Sequence, residues 1–412
     1  MGNYPFMSPL VLNRATTPPR ADDEVTFATI STEDSFVGLG ETWDALVRSM
    51  PRPSPFLLHG WLTEWWRHYG DGCSLAVQAA FRGRKLIGAL PLIVFPRHGL
   101  KVSTFLGARQ SVPADILLAE GENPAVAATL VARAATSGQD YAELFGLPGD
   151  CRLAEFLGPS RLHLFQRIEA PVLDLSEGWE ATYRARTTAK KRGHHRRRRR
   201  QLEALGDVVI SVAKTPADLK HALEDAFRLH SLRWDGRPDG SGFTTPTGMR
   251  FNRAVLNALA EIDVPRIVTL QLDGRAIAFV YYFALAKRLF LHRTAFDPAF
   301  ARFSPGLVTT LAALETAAGE SLTRVEFLGG ADRYKIELTD RFEPLHLGLG
   351  LAGSAVGQVA LAARTRWLRL REVVKRSEGA QRVYYSIVPR ARLHMARPRD
   401  VLRPTGVRKV ER

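Results

Sequence analysis

Ser304-Pro305-Gly306 stands where an apolar segment gives way to a helical pattern, and those residue types in that order start a helix. Amides behind such a start point outward at the positive end of the helix dipole, which makes a cradle for an anion; the same three residues also serve an ordinary capped helix. Arg302, next to Phe303 in the loop before it, adds a cation to the cradle. His292, on the preceding apolar segment, titrates where a proton relay needs it or else is a hydrogen-bonded structural residue, and Glu326, on the following one, is a second proton acceptor. His230, Arg233 and Trp234 fall within little more than one helical turn. They share a face, either toward an acceptor or as part of an amphipathic helix with a core Trp.

The elements that must hold these residues follow from pattern and turns. Residues 267–272 form a short apolar run, Asp273-Gly274 a hairpin turn, and residues 275–285 a strand rich in β-branched and aromatic side chains. Ala286-Lys287 makes a second turn into a strand over 288–295. A loop, a helix from Pro305 to about Ala318, and a strand over 324–328 closed by Gly329-Gly330 complete a meander that feeds a phosphate-type loop. Residues 75–81, Gly83 and residues 85–95 repeat the strand, turn, strand order, with Ile87-Gly88-Ala89 matching Ile277-Ala278-Phe279. Two similar domains in tandem follow. Trp61, Trp65 and Tyr69, spaced by four, predict the buried face of an early helix.

Composition agrees. The chain has 412 residues, 45% hydrophobic and 24% charged, enough for two cores. We expect an α/β (α+β) fold with a mixed, mainly antiparallel sheet flanked by helices in each domain. The expected boundaries are a tail at 1–24, domains at 25–175 and 176–348, a basic amphipathic helical segment at 349–388 and a basic tail at 389–412. Cys73 and Cys151 have no metal-ligand spacing, so no metal is expected, and a reducing cytoplasm is the expected compartment. No apolar run approaches the ~20 residues of a membrane-spanning helix.

The net charge of +15 is concentrated. Residues 184–200 hold ten basic side chains and no acidic one, within a basic helix expected over 180–205. A solvated inter-domain helix, an anionic acceptor or membrane surface, and nucleic acid all suit it; nucleic acid is disfavoured because no aromatic residue interleaves the run. Near the C terminus Val356, Val359, Ala363, Trp367, Leu370 and Val374 recur at helical spacing among arginines. This predicts a helix packed through that stripe, or one lying on an anionic bilayer at the inner membrane.

Several motifs resemble those of the GNAT superfamily of acetyltransferases, in the CelD/BcsL-like branch associated with bacterial cellulose or exopolysaccharide clusters. They are Pro55-Phe56 with Trp61, Trp65 and Trp66; residues 202–206; Leu229-His230 with Arg233-Trp234; Ser304-Pro305-Gly306; and residues 327–330 followed by Asp332, Tyr334 and Lys335. Glu326 stands where such proteins often show Asp, and the loop lacks the glycine-rich form of typical acetyl-CoA binders. The resemblance implies acetyl-CoA or another acyl-CoA as donor, its pyrophosphate on residues 302–306, and a backbone amide of the strand 288–295 for the oxyanion. It also implies a saccharide or small-molecule acceptor, with Asp115 lining the cleft. The tandem arrangement resembles the Fem-type transferases. Gly330 to Lys335 resembles their Gly-x-x-x-x-Tyr-Lys order, with one residue fewer between Gly330 and Tyr334, which implies Tyr334 at the acceptor and Lys335 at the reacting centre. An aminoacyl-tRNA-dependent transferase and a non-catalytic scaffold on a membrane synthase or nucleic acid are the alternatives.

Overall fold

The computed structural model describes residues 24–158, 161–234, 242–329 and 333–376, with Arg109, Arg333, Tyr334, Lys375 and Arg376 described by their backbone alone. The expected tails at 1–23 and 389–412, Asp332 and the Tyr334 side chain lie outside the described parts.

The first half runs β1 (Val25–Ile30), α1 (Glu33–Val37), α2 (Gly40–Arg48), α3 (His59–Tyr69), β2 (Ser74–Leu75), β3 (Val77–Arg82), β4 (Lys85–Leu90), β5 (Leu92–Arg97), β6 (Leu100–Phe105), β7 (Leu117–Leu118), α4 (Pro124–Ala135), β8 (Tyr141–Pro148), α5 (Arg152–Leu157) and β9 (Leu162–Asp174). The second runs α6 (Trp179–Arg186), α7 (Ala189–Glu203), β10 (Val208–Ala213), α8 (Pro216–Trp234), α9 (Pro246–Ala260), β11 (Pro265–Leu272), β12 (Arg275–Leu285), β13 (Arg288–Phe296), α10 (Pro305–Gly319), β14 (Arg324–Glu326), α11 (Arg333–Leu338), β15 (Arg341–Gly350) and α12 (Ala355–Arg376).

The two halves repeat one plan. Each has an antiparallel pair (β1 with β3, β10 with β11), a hairpin (β3–β4, β11–β12) and a parallel pair (β6 with β8, β13 with β14) whose connection contains a helix, α4 or α10. The hairpins agree to the residue. Pairings Arg82↔Lys85, Phe81↔Leu86 and Ala80↔Gly88 leave Ile87 as a bulge; Leu272↔Arg275, Gln271↔Ala276 and Leu270↔Ala278 leave Ile277. A bulge twists its strand locally, so both halves bend in the same place. The turns Gly83-Arg84 and Asp273-Gly274 correspond, which pairs Gly83 with Asp273 rather than with Gly274.

The halves also exchange their last strands. An 11-stranded sheet runs β10-β11-β12-β13-β14-β9-β15-β8-β6-β5-β2, beside a second sheet β1-β3-β4-β7. Strand β9, from the first half, pairs with β14, and β15, from the second, pairs with β8; β9 and β15 pair with each other over ten residues. The boundary expected near 175 therefore divides the chain but not the sheet. Aromatic packing locks the seam: Phe56 and Trp61 of the first half meet Phe283 at ring separations of 5.7 and 5.8 Å. Edge-on aromatic pairs like these each add about 1 kcal/mol beyond the area they bury. Gly60 lets α3 approach α9, since a Cβ there would lie 3.0 Å from the Ala258 Cβ.

Two expectations are corrected. The basic segment is two helices, because Thr187 and Thr188 break it and the Thr188 hydroxyl caps α7 by accepting from the Lys191 amide. The C-terminal helix packs with the opposite face to the one expected. Leu368 is 2% exposed against the cluster of Phe165, Leu347 and Leu349, whereas Val359 is 72% and Leu370 64% exposed. Among the described residues no helix is long and apolar enough to cross a membrane.

Candidate active site

Strands β13 and β14 part company. They pair only at Arg288↔Arg324, Leu289↔Val325 and Phe290↔Glu326, yet β13 runs on to Phe296. Beyond Phe290 no strand among the described residues pairs with that edge, so its backbone groups are available. A bulge sits where the gap opens: Tyr281 pairs with Arg293 and Tyr282 with Leu291, leaving His292 as the extra residue. The short reach of β14 and the bulge together turn a continuous ladder into a wedge.

A cavity of about 760 Å³ lies at the far end of β13. Thr294 and Phe296 supply one wall, Ser304, Gly306 and Leu307 the start of α10, and Arg233 and Trp234 the end of α8. Lys190, Lys191, His194, His195 and Arg198 of α7 face it from the other side, together with Glu337. Helix α7 is anchored there by the Lys191–Glu337 ion pair at 3.7 Å, by a 2.7 Å hydrogen bond between the Tyr183 hydroxyl and His195 Nδ1, and by Arg198 donating to the Arg302 carbonyl. Ser304 begins α10 in a way its sequence does not announce. It adopts the left-handed conformation (φ 57°) and its hydroxyl makes no cap bond, so the turn comes from the backbone. Pro305 is buried and has no N–H. Gly306 is required by packing, because a Cβ would lie 2.9 Å from the Phe296 ring. Arg302 and Phe303 are absent from this cavity's lining; the Arg302 guanidinium stacks 4.5 Å over Phe303.

A second cavity, of about 840 Å³, lies between the halves. Arg52, Asp115 and Asp150 reach it from the first half, and Arg288, Phe290, Arg324, Glu326 and Glu343 from the second. Glu326 is buried at the last rung of the β13–β14 ladder. Arg324 Nε donates to its Oε1 at 2.6 Å and Arg288 approaches the same oxygen at 3.5 Å. Oε2 accepts from no described donor, so one oxygen is anchored while the other is able to take a proton. Asp115 is otherwise engaged: it accepts from the amides of Ile116, Arg152 and Leu153 at 2.8, 2.7 and 3.1 Å and thereby caps α5. Burial pushes its carboxyl up to about 6 against those amides.

His292 lines neither cavity. Its ring is packed among Phe56, Trp61, Phe243, Tyr281 and Phe283. The Asn252 amide donates to the Gly248 carbonyl at 2.8 Å, which turns its oxygen to the imidazole; Nε2–H of His292 donates to that oxygen at 3.3 Å and leaves the lone pair on Nδ1. Burial, with Arg293 and His230 nearby, holds the ring well below its usual pKa, so it is neutral. His230 packs between Trp234 and Phe243 and is likewise lowered by burial, to about 4. Arg233 stacks on Phe296 at 4.3 Å. Arg233 and Trp234, expected at an acceptor, line the α10 cavity, while His230 belongs to the aromatic packing beside it. The ammonium of Lys335 donates to the carbonyls of Gly329 at 2.8 Å and Phe327 at 3.5 Å, clamping the chain that leaves β14. Arg52, Arg288 and Arg324 in the cleft escaped the sequence reading, for nothing in their spacing tells strand-end arginines from surface ones.

The bent meander, the wedge and the helix start behind it define a class. Residues 189–336 match the family model described as an acetyltransferase (GNAT) domain, so the second half carries a GNAT-type acetyltransferase domain. Among solved structures the chain is similar to a conserved protein of unknown function from Bacteroides thetaiotaomicron, at 14% identity over 79% of this chain and 100% of that one, with a TM-score of 0.52. It is similar to the C-terminal domain of a candidate lysylphosphatidylglycerol synthetase from Agrobacterium fabrum, at 13% identity over 82% and 97% of the two chains, with a TM-score of 0.52. It is also similar to FemX, at 12% identity over 77% and 96%, with a TM-score of 0.53. At these identities the likeness is one of fold. No curated protein matches the chain.

Proposed function

We propose that the protein transfers an acyl group from acyl-CoA, acetyl-CoA being the simplest donor, to an amine or hydroxyl of a sugar, polysaccharide precursor or small amine. The exopolysaccharide or cellulose setting rests on the sequence resemblance alone. The observation that carries the reading is the wedge between β13 and β14, with a cationic cavity at a helix start on one side and a carboxylate-bearing cleft on the other. The residues of the α10 cavity fit a phosphate-bearing donor: Lys190, Lys191, Arg198 and Arg233 balance negative charge, and the start of α10 presents the Gly306 amide, those of Leu307 and Val308 being bonded to the Ser304 carbonyl. Such a donor, when bound, supplies an activated thioester carbonyl. Amides of β13 beyond Phe290 are placed to hold a developing oxyanion, as unpaired strand donors cost nothing to reorganise. Glu326 Oε2 accepts the proton of the attacking amine or hydroxyl, directly or through water, while Arg324 and Arg288 hold the other oxygen.

The test is calorimetric titration of acetyl-CoA followed by kinetics on Glu326→Gln and His292→Ala. We expect saturable binding in all three proteins and a fall in kcat of at least a hundredfold in Glu326→Gln alone. Absence of binding in the parent protein would remove the donor assignment. A second reading, transfer from an aminoacyl-tRNA, is favoured by one feature: Arg196, Arg197, Arg199 and Arg200 stand exposed along α7 next to the same cavity. Binding of tRNA with a steep salt dependence, and none of acetyl-CoA, would select it.

A further inference from the structure

Helix α12 shows its more apolar side to solvent. Val356, Val359, Trp367, Leu370 and Val373 are 62, 72, 40, 64 and 63% exposed, and at 100° per residue they fall, with Ala363, on one continuous stripe. The stripe is not an accident of a loosely attached helix, because the inner face fixes the rotation. Gly357 presses on the Asp140 carbonyl so closely that a Cβ would lie 1.9 Å from it, and Leu368 is buried. Arg364 donates to Glu143 at 2.9 Å and Arg167 to Glu372 at 3.1 Å. The apolar residues are held outward.

The charges beside the stripe identify what covers it. Arg369 borders one edge, with Arg366 just inside it between Val373 and Val359; Arg371 borders the other beside the Glu143-bound Arg364, their guanidiniums 5.5 and 4.8 Å from the Trp367 ring. Residues 355–371 contain no acidic side chain. A second copy of the same face would set arginine against arginine. An apolar strip bordered by long cationic side chains instead matches the boundary of an anionic bilayer, where the strip enters the acyl region and the guanidiniums meet phosphate. We infer that α12 lies flat on an anionic lipid surface and holds the protein there, about 33 Å of helix along the membrane plane. This inference does not depend on the acyl-transfer reading, because none of its residues lines either cavity.

Cosedimentation of the full chain with phosphatidylcholine vesicles, with and without phosphatidylglycerol, tests it. We expect binding only when phosphatidylglycerol is present, weaker at high salt, and reduced at least tenfold in Val359→Asp/Leu370→Asp. Arg366→Gln/Arg369→Gln is expected to bind more weakly with a shallower salt dependence. Both double variants change exposed side chains, so their melting temperatures should match the parent's and report that the fold is intact. Three results would overturn the inference: no preference for anionic vesicles, undiminished binding by Val359→Asp/Leu370→Asp, or a lipid-free dimer of the parent chain that this variant abolishes.

Discussion

Two imidazoles kept neutral by burial make acid a threat to this protein. The unfolded chain protonates a histidine near pH 6.5, whereas folded His230 does so only near 4, and His292 is depressed too. Below 6.5 the unfolded state therefore binds more protons, so the contribution of these residues is complete above that pH and drains away as pH falls toward 4. For His230 this amounts to about 3 kcal/mol. Melting temperature should fall between pH 7 and 4.5, and His230→Asn should fall less steeply over the same range. Lys335 poses a different question, because its ammonium serves two carbonyls of the chain after β14. Lys335→Met should lower stability by about 2 kcal/mol. If the lysine also steadies the reacting centre, kcat falls a hundredfold or more with donor affinity unchanged. Kinetics and melting on one preparation separate these, and intact kcat per folded molecule would confine the residue to clamping. His292, Glu326 and Lys335 were singled out in the sequence as candidates for chemistry, His292 with a hydrogen-bonded structural role as its alternative, and it lines neither cavity. The partners of all three were not legible there, since Asn252, Arg324 and the Gly329 carbonyl reach them only through the fold.

Hairpins and helix starts were read more reliably than helix faces. Asp273-Gly274 does form the expected turn, with φ of 48° and 76°. Ala286-Lys287 forms another with φ of 48° and 60°, and neither residue favours the left-handed region. Replacing the pair by Asn-Gly should relieve that cost and stabilise the protein by about 1 kcal/mol, seen as a few degrees in melting temperature; no increase would mean that the turn is unstrained. Arg324 to Leu328 read as one strand but forms a ladder only to Glu326, because Leu328 turns to φ 60°. The α12 stripe left packing and a bilayer both open for a plain reason. Periodicity shows that a helix has two faces, while Gly357 and the Glu143–Arg364 pair, invisible to periodicity, decide which one turns inward.

At the scale of the whole molecule the repeat was legible from Ile87 and Ile277, but the exchange of β9 and β15 was not, since pairing partners so far apart leave no local trace. Cutting the chain at residue 175 would strip β14 of its β9 neighbour and β15 of β8. We expect residues 176–376 alone to be insoluble or unfolded, and the intact chain to melt in a single transition; a soluble fragment with native circular dichroism would show the seam to be dispensable. The three residues of β14 have a further consequence. One edge faces β13 and the other is held by a strand from the first half, so a molecule seated in the inter-half cleft, which Arg324 and Glu326 line, bears on the short strand from which β13 parts. Cys73 and Cys151 line neither cavity, and burial pushes their thiols up to about 11 and 12. For the transfer proposed above, we expect the rate law of a ternary complex, with donor and acceptor aboard together; ping-pong kinetics would show instead that the acyl group rests on the protein in transit.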